Sequence, residues 1–326
     1  MLESKFAVTL LNAVVFGSLL AACSATSEEV DETEQAALNC PPGSTEMADF
    51  CRNWGQLPGG SVQMDIGTGA LETIQYKLIG YLNPTVYTQG DIIIGDKNSV
   101  DQVARAGGQT GPTEGVARVS RTGRWPNGHI AYDIDANLQN PQRVATAIAH
   151  WEEKTSLRFH ARTAADTDYI HFQNGAGCSS YVGRIGGSQP VNLNVGCSVG
   201  NAIHEIGHSI GLWHEQSRTD RDDYVTVDMT NVLAGYENNF EIITNVGVEN
   251  SDLALYNYGS LMHYPTNAFA KDTSKPTISV KPGHTLRPGT VIGQRNGLTD
   301  GDIVAATLLY CDEPDFPCVI PVTPYL

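Results

Sequence analysis

Residues 204–222 read His-Glu-Ile-Gly-His-Ser-Ile-Gly-Leu-Trp-His-Glu-Gln-Ser-Arg-Thr-Asp-Arg-Asp. On an α-helix, His204 and His208 stand four residues apart and share one face. Two imidazoles at this spacing grip one zinc ion, and Glu205, beside the first of them, leans over a zinc-bound water. Gly211 predicts the end of that helix, because glycine takes the left-handed turn with no Cβ penalty. The turn returns His214 as a third ligand. Three protein ligands leave a fourth position open, the arrangement of a catalytic rather than a structural zinc. The plainer alternative is an amphipathic helix with two solvated histidines. Gly211 and His214 at these offsets argue against it.

The extended pattern is the metzincin signature. Glu215 directly after the third histidine, followed by Arg218, Asp220, Arg221 and Asp222, resembles the astacin family of zinc endopeptidases. Tyr258-Gly259-Ser260-Leu261-Met262-His263-Tyr264 resembles the Met-turn of that family, and Ser179 to Cys197 its substrate-binding edge strand and the loop into the zinc helix. Trp125 to Tyr132 is similar to its opening strand. Ile292-Gly293-Gln294-Arg295, Leu298-Thr299, Asp302 and Leu309-Tyr310-Cys311 are similar to its close. The likeness spans roughly residues 115–311.

The resemblance implies an α+β fold: a twisted, mostly parallel sheet, a backing helix and an active-site helix. It implies one zinc held by His204, His208 and His214, with Glu205 as general base. Tyr264 would ligate zinc at rest and swing away to stabilise the oxyanion, above a hydrophobic floor supplied by Met262. Glu215 would reach a buried ammonium freed by processing. A disulfide between Cys178 and Cys197 is also implied. The chain departs from the family in Thr155-Ser156-Leu157-Arg158-Phe159, where Ser156 replaces a cysteine. Cys311 must then pair elsewhere, most simply with nearby Cys318. Cys40 and Cys51 are also close enough to pair.

The 326 residues carry a formal charge of −16 and seven cysteines. Such an acidic chain argues against nucleic-acid binding, which needs basic stripes. Lys5 precedes an apolar run from Phe6 to Leu20, shorter than a membrane span and built like an export signal. Leu20-Ala21-Ala22-Cys23 resembles the lipobox of bacterial lipoproteins, which implies a bacterial source and Cys23 as a lipidated membrane tether. A plain secretory peptide is the alternative. Either reading exports the chain, and six remaining cysteines suit an oxidising compartment.

These signals divide the chain into a signal peptide (1–22), an acidic linker (23–39), a mainly irregular propeptide (40–114), a protease domain (115–312) and a tail (313–326). Glu28, Glu29, Asp31, Glu32 and Glu34 make the linker a solvated tether. In the propeptide, Tyr87-Thr88-Gln89-Gly90-Asp91-Ile92 resembles the Phe-x-Gly-Asp segment of astacin proenzymes, so Asp91 is the candidate inhibitory zinc ligand. An ordinary Gly-Asp turn is the alternative. Arg118, Arg121 and Arg124 could draw a trypsin-like activating protease, with cleavage near Val116.

Val144, Ala147, Ile148 and Trp151 fall at helical spacing, predicting a helix over 141–162. Tyr169-Ile170-His171-Phe172 alternates like a strand. His129, His150, His160, His171 and His284 lack ligand spacing, and His263 reads as a packing or hydrogen-bonding residue. A last helix is expected over 300–309, capped by Asp300 or Thr299, before an irregular tail. The expected partner is an extended peptide or protein adding as a strand near Ser179–Ile185. Lys281, Arg287 and Arg295 suggest a basic pocket wall favouring acidic side chains after the cut. The competing functions are a zinc-bearing adhesion module that no longer cuts, and an amidase acting on cell-wall peptides.

Overall fold

The computed structural model describes residues 56–65, 71–79, 85–96, 123–243 and 252–319. The expected signal peptide, linker, Cys23, Cys40, Cys51 and the cleavage point near Val116 lie outside them. The described strands run β1 (Gln56–Asp65), β2 (Leu71–Ile79), β3 (Thr85–Thr88), β4 (Ile92–Asp96), β5 (His129–Ile134), β6 (Arg158–Ala161), β7 (Tyr169–Gln173), β8 (Cys178–Ser180) and β9 (Ser188–Leu193). They form one sheet in the order β1-β2-β3-β4-β8-β9-β7-β5-β6. β10 (Val225–Val227) and β11 (Ile278–Val280) form a small antiparallel pair. The helices are α1 (Gln142–Lys154), α2 (Val199–Ser209), α3 (Arg221–Tyr224) and α4 (Asp300–Tyr310).

From β8 to β6 the sheet is mostly parallel, as the sequence led us to expect: β9 with β7, β7 with β5 and β5 with β6, while β8 runs antiparallel to β9. β7 shows why. Ile170 and Phe172 point into the core and are fully buried, whereas Tyr169, His171 and Gln173 face the half-exposed side. α1 backs the sheet with Val144, Ala147, Ile148 and Trp151 all buried. The Trp151 indole N–H donates to the Ile203 carbonyl at 3.0 Å, tying α1 to α2.

Two expectations change. The helix read over 141–162 stops at Lys154. Thr155 turns extended, and Arg158–Ala161 is drawn into the sheet as a parallel partner of β5. Backbone pairing overrides helical spacing there, since no apolar residue continues the buried face of α1. The segment read as mainly irregular, 40–114, contributes β1 to β4 among its described residues. The open edge of β8 offers unpaired backbone groups, and the Ile92-Ile93-Ile94 run supplies β-branched side chains that fit a buried strand.

The end of the domain is clamped where the sequence left doubt. Cys178 pairs with Cys197 and Cys311 with Cys318. Phe316 is buried against Tyr310, with ring centroids 5.5 Å apart. Gly128, at φ +70°, comes so close to that ring that a Cβ there would lie 2.7 Å from Phe316 Cδ2. Arg124 forms an ion pair with Asp312. The irregular tail thus holds the start of β5 in place of the missing family disulfide.

Candidate metal centre

α2 carries two of the histidines, and the structure fixes both of its ends. Ser198 caps the N-terminus: its hydroxyl accepts from the Asn201 N–H at 3.1 Å, and Asn201 Oδ1 accepts from the Ser198 N–H at 2.9 Å. At the other end the carbonyls that lack helical partners are met from elsewhere. The Trp125 indole donates to Ser209 O at 2.8 Å, the Tyr310 hydroxyl to Ile210 O at 2.9 Å, and the Gly183 N–H to His208 O at 2.8 Å. Gly211, at φ +115°, turns the chain back as predicted.

That turn delivers His214 to His204 and His208. The three imidazoles and the Asp91 carboxylate each offer one ligand atom, all within 4.8 Å of one another. Asp91 lies 3.4 Å from His204 Nε2, 3.8 Å from His208 Nε2 and 3.2 Å from His214 Nε2. The histidines are at most 1% exposed. Each ring is oriented through its other nitrogen. His204 Nδ1 donates to Leu261 O at 2.9 Å, His208 Nδ1 to Leu212 O at 2.8 Å and His214 Nδ1 to Gln89 Oε1 at 3.1 Å. With the proton held on Nδ1, each Nε2 presents a lone pair inward.

Among the described residues, those three Nε2 atoms and Asp91 Oδ1 are buried with no hydrogen-bond partner. Four orphaned donor atoms around one point are costly unless a cation satisfies them. A His₃-carboxylate set suits zinc. Burial, then Arg295, brings the His204 pKa down to about 4, and burial with the neighbouring imidazoles lowers His208. Both rings therefore stay neutral and able to ligate.

Glu205 is 1% exposed, and its Oε2 has no hydrogen-bond partner. Burial and then the Asp91 charge push its carboxyl up. Tyr264 lies beside His214 with ring centroids 4.6 Å apart, and its hydroxyl donates to the Gln89 carbonyl. Met262 lies under the zinc helix: a Cβ on Gly207 would fall 2.7 Å from Met262 Sδ. Glu215 stands just past the ligands, where its carboxylate accepts from the Asn257 N–H at 2.8 Å and faces Arg218 Nε at 3.6 Å. Burial pushes that carboxyl up to about 8 in spite of Arg218. His263 is a hydrogen-bonding residue, as expected. Its Nδ1 donates to Tyr264 O at 2.7 Å, and its Nε2 accepts from the Tyr256 hydroxyl at 2.7 Å.

The sequence-based site lacked two residues and gave a third only a different role. Gln89 is one; its side chain also accepts from the Ser217 hydroxyl at 3.1 Å. Gln216 is the second, fully buried, with Oε1 accepting from the Tyr264 N–H at 3.0 Å. Arg295 is the third. Its NH1 donates to Leu261 O at 2.8 Å and His263 O at 3.1 Å, which fastens the Met-turn and the carbonyl that orients His204. Arg295 is half-buried, and its charge also acts on His204 and Glu205. Lys281 donates to the Asp222 carbonyl, and Arg287 lines a depression with Tyr258 and Asn296. The expected substrate edge is also occupied: β4 pairs with β8 through Ile92 and Ser180, and the Ser180 N–H donates to Asp91 O at 3.1 Å.

A three-histidine centre on a helix and glycine turn, floored by a Met-turn, defines a zinc-peptidase fold of the metzincin class. The peptidase family model described as Astacin matches residues 117–311, and the chain belongs to that family. It is 40% identical over 195 residues to the zinc metalloproteinase nas-13 of Caenorhabditis elegans, covering 57% of this chain and 41% of that protein. It is 39% identical over 203 residues to bone morphogenetic protein 1 of Xenopus laevis, covering 60% and 28%. Among solved structures, high choriolytic enzyme 1, a hatching enzyme zinc-protease from medaka (Oryzias latipes), superposes with a TM-score of 0.53 at 32% identity, covering 59% of this chain and 96% of that one. The chain thus spans about two fifths or less of the length of these two curated relatives.

Proposed function

We propose that this chain is a zinc endopeptidase made as a latent, exported precursor. The observation that carries the reading is Asp91: its carboxylate sits 3.2–3.8 Å from all three histidine Nε2 atoms. The strand that follows it takes the sheet edge a substrate would need. On this reading His204, His208 and His214 hold the metal, and Asp91 fills the fourth position until residues 40–114 are cut away.

When bound, zinc acidifies a water and polarises the scissile carbonyl. Glu205 accepts the water's proton and returns it to the leaving amine. The Tyr264 phenol, released from the Gln89 carbonyl, donates to the oxyanion. Met262 keeps the floor of the site apolar. An extended peptide or protein substrate replaces β4 along β8, held by backbone hydrogen bonds and so with modest sequence demands.

An activating protease would cut near Val116, guided by Arg118 or Arg121. Arg124 is buried and paired with Asp312, which supports a cut ahead of it. The freed ammonium would enter the recess beside Glu215, Ile243 and Leu253. Pairing there would relieve the buried carboxylate. The lipobox likeness supports a bacterial source, export and a lipid tether at Cys23, which mass spectrometry of the mature N-terminus would read.

The test is casein digestion by the purified chain before and after limited trypsin treatment. Cleavage should appear on trimming, vanish with a zinc chelator and return with zinc. Trimmed, zinc-loaded protein that leaves casein whole and instead cuts peptidoglycan fragments would refute the endopeptidase reading.

A further inference from the structure

The three zinc-facing histidines are not oriented alike. His204 and His208 donate their Nδ1 protons to backbone carbonyls of Leu261 and Leu212, within the folded domain. His214 donates to the side chain of Gln89, 125 residues earlier in the chain. Among the described residues, Gln89 Oε1 is the acceptor that His214 Nδ1 has. A lone pair on Nε2 requires the proton on Nδ1, so the amide must present its oxygen here.

Gln89 is built into this position. It is 2% exposed, and its backbone adopts the left-handed region at φ +47°, uncommon for a residue with a side chain. Gly90 follows at φ +85°, where a Cβ would meet Phe269 Cζ at 3.0 Å and the Tyr264 hydroxyl at 3.2 Å. The tight turn lets one residue grip three groups. Its amide oxygen takes His214 Nδ1 and the Ser217 hydroxyl, and its carbonyl takes the Tyr264 hydroxyl. A merely space-filling residue needs none of these bonds.

We propose that Gln89 is a zinc-positioning residue of the precursor, lent to the metal centre by the segment that also blocks it. This rests on the reading of residues 40–114 as a removable propeptide. Gln89 fixes the tautomer and orientation of His214 and holds Tyr264 away from the metal position. The precursor therefore retains zinc more tightly than Asp91 alone would achieve. Departure of the segment removes an orienting bond from one ligand and frees the phenol in the same event. Loss of such an orienting partner costs about 10- to 100-fold in metal affinity.

The experiment compares the full chain with Gln89→Met, Gln89→Glu, Asp91→Ala and the Gln89→Met/Asp91→Ala double variant. Zinc affinity is measured by chelator competition, and the visible spectrum of the cobalt-substituted protein reports the ligand geometry. Gln89→Met should weaken zinc about tenfold or more and alter the cobalt spectrum. Gln89→Glu keeps an acceptor and should hold zinc as tightly as the parent or more so. The double variant should be weaker than Asp91→Ala. Parental affinity in Gln89→Met, weaker binding in Gln89→Glu, or a double variant equal to Asp91→Ala would each overturn the proposal. The precursor reading fails separately, if Asp91→Ala leaves both affinity and cobalt spectrum unchanged.

Discussion

Gly200→Ala in the first turn of α2 sets two physical effects against each other. Helix propensity favours alanine by about 1 kcal/mol in a helix interior, and by less in a first turn. The packing opposes it. A Cβ at this position would overlap the Arg295 carbonyl oxygen and lie 2.9 Å from Arg295 Cβ. The obstacle is backbone, so no rotamer change relieves it. Overpacking of this kind costs about 1–3 kcal/mol or more, and the net loss is about 2 kcal/mol. For a domain of this size that lowers the melting temperature by about 4–8 °C. The shift also has a direction. Moving Arg295 disturbs its bonds to Leu261 O and His263 O, and Leu261 O orients His204. Thermal unfolding and zinc competition on the same variant should therefore fall together. A melting temperature equal to or above the parent's, with unchanged zinc affinity, would refute the packing argument.

Other substitutions separate the roles around the metal. Glu205→Gln should keep zinc and the fold but lower casein cleavage by the trimmed protein about 10²- to 10⁴-fold; near-parental turnover would remove Glu205 as the base. Asp91→Ala should yield a precursor that digests casein before trimming, whereas an inert, intact variant would count against the carboxylate switch. Cys178→Ser opens a bridge between residues 19 apart in sequence, which costs about 3 kcal/mol by loop-closure entropy. A denaturant midpoint indistinguishable from the parent's would contradict that.

What was legible in the sequence were groups whose spacing has one physical meaning. His204, His208 and His214 around Gly211 fixed the metal centre, because helical pitch and one left-handed turn bring them together. Alternation marked β7, and Thr299 caps the last helix with Asp302 as its partner. Less legible was anything set by long-range pairing. The end of α1 and the strand at Arg158–Ala161 depend on the edge of β5. The strands before the domain depend on the edge of β8. Ser156 pointed to Cys318 as the partner of Cys311, but Phe316 as a clamp on Gly128 had no signal at all. Gln89, Gln216 and Arg295 are polar residues whose work is done by bonds to groups far away in the chain, and residue type alone does not announce that. Arg295 illustrates this: a guanidinium beside the cleft suggested a charged wall, but nothing in the sequence announced its bonds to the Leu261 and His263 carbonyls.

Zinc K-edge X-ray absorption on the purified, untrimmed chain tests the central claim most directly. The account predicts one zinc per chain with three imidazole nitrogens at about 2.0–2.1 Å and a carboxylate oxygen at about 2.0–2.2 Å. It also predicts that the oxygen shell changes on trimming while the nitrogens remain. Thiolate scattering, fewer than three imidazoles, or no stoichiometric zinc would contradict it.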